Sequence, residues 1–124
     1  MEMQRARRKP ALNRVAPLNR LELSGRLLEL SALRYTPAGV AAVEFKLGHQ
    51  SEQDEAGGKR SIQAEVSAIA FETYARLIAS ANLGMNLKVQ GFLAVKSKRS
   101  KRLILHVTNI EFIEGETNAT AAQR

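Results

Sequence analysis

The sequence predicts an all-β domain of five strands that close into a small barrel, with one short helix between the third and fourth strands. Five segments alternate apolar and polar residues with the period of two that is typical of half-buried strands. A single segment between the third and fourth of them changes to helical spacing. Glycines in the middle of the first and fourth segments, Gly25 and Gly91, favour the bends that closing a small sheet requires.

The first half of the chain supplies three of these strands. Leu21, Leu23, Gly25 and Leu27 alternate with polar residues and predict the first strand, and the alternation is lost over residues 28–33. The sequence TPAG at residues 36–39 predicts a turn, because proline presets φ and glycine tolerates positive φ. Beyond it we expect the second strand, a long polar loop that contains a glycine pair, and the third strand, over residues 40–49, 50–59 and 61–69.

The second half supplies the helix and two more strands. Phe71, Tyr74 and Ile78 recur at helical spacing, which predicts a helix over residues 71–81 with Phe71 and Tyr74 in the core. Gly84 is typical of a position shortly after a helix end. The fourth and fifth strands follow over residues 87–95 and from Leu103 onward. This order of elements predicts a five-stranded OB-fold Greek-key barrel.

The predicted barrel domain covers residues 18–115. Residues 1–17 show no sustained hydrophobic period and carry most of their charge on arginine and lysine, so we expect a flexible basic N-terminal arm. Residues 116–124 are small and polar, which predicts a disordered C-terminal tail.

The strongest functional signal is the segment 96–102, between the fourth and fifth strands, which we call the basic loop. It contains no acidic residue and five basic ones: Lys96, Lys98, Arg99, Lys101 and Arg102. Clustered positive charge on a short loop suits the repeated phosphates of a nucleic acid, although a charge run is also compatible with a merely solvated hairpin end. The whole chain is basic too, with 19 Lys and Arg against 12 Asp and Glu.

The composition and motifs argue against catalysis. The chain has no cysteine, which excludes disulfides and thiolate metal sites and fits a reducing, cytoplasmic location. Its two histidines, His49 and His106, lie far apart in different predicted strands with no carboxylates placed to complete a metal site, so we expect ordinary edge or surface residues and no metal. No nucleophile elbow, glycine-rich phosphate loop or long apolar span occurs. We expect a binding protein without catalytic residues, cofactor or membrane association.

Four segments resemble the primosomal replication protein N, or PriB, family. They are residues 19–25 (NRLELSG), 51–57 (SEQDEAG), 89–93 (VQGFL) and 105–107 (LHV) followed by Ile110, and they span the predicted domain in order. The resemblance implies a homodimeric OB-fold protein that binds single-stranded DNA. It also implies a role in the restart of stalled replication forks, with the PriA helicase and, in some bacteria, the DnaT loader as partners.

The resemblance also implies which residues bind DNA. In the family the loop between the fourth and fifth strands carries essential lysines, and here the five basic residues of the basic loop occupy it. In an OB-fold, nucleic acid crosses the face of the second and third strands between flanking loops. We therefore add Lys46, Lys59, Arg60 and Tyr35 to the expected nucleic-acid-binding residues.

One departure from the family pattern affects the expected affinity. Better-known members carry an aromatic residue just after the Glu-Ala-Gly of the second loop and a tryptophan in the third strand, where this chain has Gly58 and Gln63. Tyr35 is a candidate replacement for one of these stacking residues. Since stacking contributes about 1–3 kcal/mol per base, we expect weak, sequence-tolerant binding dominated by charge. About four neutralised phosphates would give a slope of roughly −3 in log K against log salt.

Three other functions remain open from the sequence. A general single-stranded DNA-binding protein would normally end in a glycine-rich linker and an acidic tip, and residues 117–124 resemble neither. A protein-docking adaptor with weak DNA binding would use the same positive loop on an acidic protein surface. An RNA-binding or ribosome-associated OB-fold protein would need contacts to the 2′-OH that a sequence does not reveal.

Overall fold

The computed structural model describes residues 16–113 of the chain. They form six strands and one helix. The elements are β1 (Leu21–Leu30), β2 (Arg34–Tyr35), β3 (Ala41–Glu55), β4 (Gly58–Phe71), α1 (Glu72–Ala79), β5 (Asn86–Val95) and β6 (Leu103–Phe112). The predicted basic arm and tail fall largely on residues 1–15 and 114–124, outside the described residues, so they stay predictions together with the domain bounds.

Five of the strands close into the predicted barrel. Around it the order is β1, β5, β6, β4 and β3, and β1 then pairs with β3 to complete the ring. All neighbours are antiparallel except β4 and β6, whose parallel pairing covers only Ala68 with Leu105 and Ile69 with His106. The OB-fold barrel expected from the sequence is therefore confirmed.

The core follows from the alternation of the strands. Side chains that alternate along them point inward and are almost fully buried, among them Leu27, Val43, Leu47, Val89 and Leu105. Helix α1 lies across one end of the barrel and adds Ala75 and Ile78 to the same cluster. The helix is shorter than expected at both ends, because Phe71 is still the last residue of β4 and the helix ends at Ala79.

Two aromatic residues that we expected in the core behave differently from each other. Tyr74 packs against the core and its hydroxyl donates a hydrogen bond of 2.9 Å to the Asn109 Oδ1 atom. The prediction for Phe71 was wrong, because Phe71 continues the alternation of β4 on the outer side and lies half-buried beside His106.

The residues between β1 and β3 depart from the sequence prediction in two ways. Leu28 is an extra residue in β1 where β1 pairs with β3, which explains why the apolar alternation stops after Leu27. Arg34 and Tyr35 form a short strand on the edge of β3 that the sequence did not predict. The expected turn follows it, with Gly39 at a φ of 84° and its N–H donating to the Thr36 carbonyl at 2.8 Å.

The prediction of a long loop over residues 50–59 was wrong. β3 runs to Glu55, β4 begins at Gly58, and every residue between Gln50 and Glu55 has a partner in β4. Only two residues connect the strands, and both have positive φ: 53° at Ala56 and 83° at Gly57. Such a turn matches the twist of a tight hairpin, so the polar segment becomes a two-stranded structure, which we call the β3–β4 extension (residues 50–63).

The mid-strand glycines lie where two backbones approach closely. A Cβ atom on Gly25 would be 2.7 Å from the Gly48 carbonyl oxygen, and a Cβ atom on Gly91 would overlap the His106 carbonyl oxygen. Opposite Gly91, β6 contains one extra residue, since Gln90 pairs with Asn109 and Gly91 pairs with Val107. Thr108 is thus the extra residue of a β-bulge at a barrel corner, as the position of Gly91 suggested.

Candidate nucleic-acid interface

The basic loop connects β5 to β6 as a short, locally hydrogen-bonded turn. The last paired residues of the two strands are Val95 and Leu103, and the Lys96 N–H donates to the Arg102 carbonyl at 2.9 Å. Two serine hydroxyls inside the loop accept hydrogen bonds from the backbone. The Ser97 Oγ atom accepts from the Ser100 N–H at 3.1 Å, and the Ser100 Oγ atom accepts from the Arg102 N–H at 3.3 Å. The loop backbone is therefore held by its serines, and the basic side chains are not needed for its shape.

The five basic side chains of this loop are exposed and have no acidic partner among the described residues. Each belongs to an exposed residue. Within residues 16–113, every ion pair involves other basic residues. Uncompensated positive charge on one loop produces a local field that attracts a polyanion. The loop can therefore accept several phosphates without first breaking an internal ion pair.

The candidate residues Lys59 and Arg60 are in a different situation. They lie on the β3–β4 extension, where the Lys59 Nζ atom is 3.3 Å from the Asp54 Oδ1 atom and the Arg60 Nη1 atom is 2.7 Å from the Glu55 Oε1 atom. All four side chains are exposed. The extension thus presents two cations that are already paired across the hairpin.

Lys46 is also paired, and more closely enclosed. It lies on the outer face of β3, and its Nζ atom is 3.8 Å from Glu29 on β1 and 3.7 Å from Glu65 on β4. Only 31% of its side chain is exposed. Both carboxylates flank it on the face that nucleic acid would cross, so Lys46 neutralises them more than it offers free charge.

Tyr35 is exposed but lies away from the basic loop. Its relative exposure is 61%, and it pairs with Ala41 at the start of β3. The next residue of β3, Ala42, pairs with Phe71, so Tyr35 lies near the C-terminal end of β4. β6 begins closer to the N-terminal end of β4, because Leu105 pairs in parallel with Ala68. At about 3.3 Å per residue, Tyr35 and the basic loop are separated by roughly 20 Å along the strands.

The two positions that lack the expected aromatic residues are both in β4. Gly58 pairs with Glu55 next to the hairpin turn, and Gln63 pairs with Gln50 at the base of the extension. Gln63 lines a shallow groove on the outer face together with His49 and Gln50. This groove offers hydrogen-bonding groups to a ligand, and among the described residues no Phe, Tyr or Trp side chain lines it.

His49 has a structural partner on each ring nitrogen. Its Nδ1 atom is 2.7 Å from the Ser24 carbonyl oxygen, and its Nε2 atom is 2.8 Å from the Ser51 Oγ atom. The ring therefore connects β1 to the base of the β3–β4 extension. Over residues 16–113 no group of three or more His, Asp and Glu side chains is placed to hold a metal ion.

Sequence reasoning missed an aromatic pair on the outer face of β5 and β6. The Phe92 and His106 rings stack with centroids 5.1 Å apart and an angle of 12° between their planes. Phe71 lies against the same histidine at 6.1 Å. The available signal was Phe92 itself, an aromatic residue on the polar side of an alternating strand.

Comparison with known proteins agrees with this architecture. Residues 19–109 match the model of a family described as another single-strand binding protein family. The chain is 45% identical over 98 residues to the replication restart protein PriB of Bordetella pertussis. The aligned region covers 79% of this chain and 92% of that protein.

Two solved structures are similar over most of the described residues. The protein PriB from Ralstonia solanacearum has a TM-score of 0.69 at 31% identity, covering 78% of this chain and 100% of that chain. The wild-type single-stranded DNA binding protein from Thermus aquaticus has a TM-score of 0.66 at 25% identity, covering 81% of this chain and 52% of that one. The chain therefore belongs to this single-strand binding family and, within it, to the PriB proteins.

The one helix described in residues 16–113 is not long and apolar enough to cross a membrane.

Proposed function

We propose that the chain is a non-catalytic accessory protein of replication restart that binds single-stranded DNA, chiefly by charge and through the basic loop. The observation that carries the proposal is that the basic loop and the other candidate cations differ in whether they form ion pairs. The loop's five basic residues lack a carboxylate partner among the described residues, whereas Lys46, Lys59 and Arg60 each have one. Membership of a single-strand binding family and similarity to the replication restart protein PriB of Bordetella pertussis support it.

The charge-based mechanism makes a quantitative statement about salt. Each neutralised phosphate of a single strand contributes about −0.7 to the slope of log K against log salt. Four loop contacts therefore give a slope of roughly −3, and a fourfold rise in salt weakens binding by about 50-fold. Lys46, Lys59, Arg60 and Tyr35 are secondary contacts in this proposal, reached by a strand that crosses the outer face from the loop.

The test is fluorescence anisotropy of a labelled oligo-dT at low and moderate salt. We expect the variant with all five basic loop residues replaced by alanine to lose most of the affinity and almost all of the salt dependence. The smaller variant Lys98→Ala/Arg99→Ala has a matched control in Arg76→Ala/Lys88→Ala, because Arg76 and Lys88 are paired with Glu72 and Glu22 elsewhere on the surface. Equal weakening by the two double variants would contradict a special role for the loop.

The same proposal includes partners and a location. We propose that the protein acts with a PriA-type helicase, and with the DnaT loader where one is present, in the cytoplasm where the chromosome is replicated. We also propose a homodimer, which would cover the exposed Leu28 and Ile113 along the outer groove, 40% and 37% exposed. Light scattering of the purified protein tests the dimer, and a monomer at micromolar concentration would contradict it.

A protein-docking role for the same loop is the second candidate function. It is favoured by Val95 and Leu103, which form an exposed apolar pair at the base of the basic loop, 53% and 59% exposed. A basic loop above an apolar base suits an acidic, amphipathic protein segment. Capture of purified helicase after nuclease treatment, lost in Val95→Ser/Leu103→Ser, would support this role. Capture that requires intact single-stranded DNA would contradict it.

A further inference from the structure

The stacked rings of Phe92 and His106 form a preorganised aromatic surface on the outside of the barrel. The two residues are directly opposite each other in the antiparallel pair of β5 and β6, and their planes differ by only 12°. Phe71, the last residue of β4, supports the histidine at a centroid distance of 6.1 Å. Phe92 remains 40% exposed, so part of this aromatic group is open to solvent.

The bulge at Thr108 is the reason that His106 lies outside the barrel. On the C-terminal side of the bulge, Ile110 points inward, and an uninterrupted alternation would also direct residue 106 inward. The extra residue shifts the alternation by one position, so Val107 and Leu105 enter the core and His106 faces Phe92. The stack therefore depends on a specific backbone feature opposite Gly91, where no side chain fits.

The aromatic pair and the basic loop lie on one face of the same two-stranded ribbon. Four residue pairs along from Phe92 and His106, past the pair of Ala94 with the buried Ile104, the Lys96 N–H donates to the Arg102 carbonyl. Alternation places the side chains of these rungs on the outer side. Phe92 and Lys96 are therefore about 13 Å apart along the direction of β5, with an aromatic surface at one end and two neighbouring cations at the other.

We propose that Phe92, backed by His106, is a stacking site for one nucleobase of the single strand whose phosphates bind the basic loop. This inference rests on the proposed function and adds a contact to it. Stacking on an aromatic ring is tolerant of base identity, because every base has a π face. The site would supply part of the stacking that Gly58 and Gln63 do not provide.

The local chemistry favours a nucleobase over a protein partner at this position. One ring is exposed here, and the neighbouring outward residue Ile104 is buried, so the apolar surface matches one planar group better than the side of a helix. The cations at Lys96 and Arg102, further along the same face, have no acidic partner among the described residues, which suits a ligand with alternating aromatic and phosphate groups.

The chain contains no tryptophan, so Phe92→Trp places a single fluorescent reporter at the site. We expect its emission to be quenched when a 12-residue oligo-dT is added, since a stacked base quenches indole fluorescence. The control is Leu83→Trp, in the exposed segment between α1 and β5. Quenching equal to that of the control, at saturating DNA, would overturn the proposal.

Affinity measurements complete the test. We expect Phe92→Ala and Phe92→Leu to weaken oligo-dT binding about tenfold, the equivalent of about 1.4 kcal/mol, while the salt slope stays unchanged. On an abasic oligonucleotide of the same length, both variants should bind like the wild type. The leucine variant retains the apolar contact with the barrel, and thermal unfolding checks that each variant is folded.

The outcomes separate this inference from the proposed function. Unchanged DNA affinity in both Phe92 variants, with the loop variant still losing binding, overturns the stacking site and leaves charge-based binding intact. Unchanged DNA affinity together with lost helicase capture would instead assign Phe92 to a protein interface. No binding of oligo-dT by the wild-type protein would overturn both.

Discussion

Two regions of this barrel carry exposed basic residues, and they differ in what their charges face. On the β3–β4 extension, Lys59 and Arg60 are paired across the hairpin with Asp54 and Glu55. On the basic loop, the positive side chains meet no carboxylate among residues 16–113, and serines hold the backbone. The number of cations in a region is therefore not enough to make it a binding site for a polyanion. A charge that is already paired must give up its partner before it can bind a phosphate.

Charge reversal in the loop should have the largest effect. We expect Lys98→Glu/Arg99→Glu to weaken oligo-dT binding by about 100-fold at low salt, because two attractive contacts become repulsive. Anisotropy titration measures the change. The same reversal of the paired Lys59 and Arg60 should cost much less, and equal costs would remove the distinction between the two regions.

Releasing the cations of the extension should have an intermediate effect of opposite sign. In Asp54→Asn/Glu55→Gln, Lys59 and Arg60 lose their partners and become available to phosphate. We expect severalfold tighter binding and a salt slope steeper by about 1.4, the contribution of two further phosphates. Glu72→Gln, which releases Arg76 on the helix, is the control. An unchanged slope would show that DNA does not reach the extension.

Lys46→Gln should have a small effect on binding. Because Lys46 lies between Glu29 and Glu65, its loss leaves two carboxylates uncompensated on the outer face, and we expect affinity to fall about twofold to threefold. A loss as large as that of a single loop substitution such as Lys98→Ala would instead identify Lys46 as a direct phosphate ligand. Parallel titrations of the two variants distinguish these results.

Ala56→Gly should affect stability and leave binding unchanged. Ala56 has a φ of 53° in the turn of the extension, a conformation that costs a residue with a Cβ about 1 kcal/mol or more. After the entropic cost of glycine, we expect a net gain of about 0.5–1 kcal/mol and a Tm higher by about 3–6 °C. Calorimetry measures the shift. A lower Tm would mean that the turn tolerates alanine without strain.

The sequence predicted the barrel well because most of its information is in local alternation. The five barrel strands, the single helix and the position of the basic loop all follow from apolar periodicity and composition, and the structure confirms them. Bends of the barrel were expected at Gly25 and Gly91, and both glycines lie where two backbones approach closely. These features depend on neighbouring residues in the chain, which a sequence displays directly.

What the sequence did not predict depends on pairing between distant residues. The segment 50–59 looked like a loop because it is polar, yet its hydrogen bonds to β4 make it a hairpin. The ion pairs of Lys46 come from β1 and β4, and the outward position of His106 comes from one extra residue in β6. Charge and polarity in a sequence do not show which partner a side chain will meet.

The bulge at Thr108 also sets a limit on how this chain can change in length. Deleting that single residue would move every position of β6 before it to the opposite side of the sheet, bringing His106 and Ile104 into the interior and Leu105 and Val107 into water. Insertions inside the basic loop carry no such penalty, since the last strand pair, Val95 with Leu103, is unaffected. Homologues should therefore vary in length at the loop and hold the spacing between residues 103 and 112 constant.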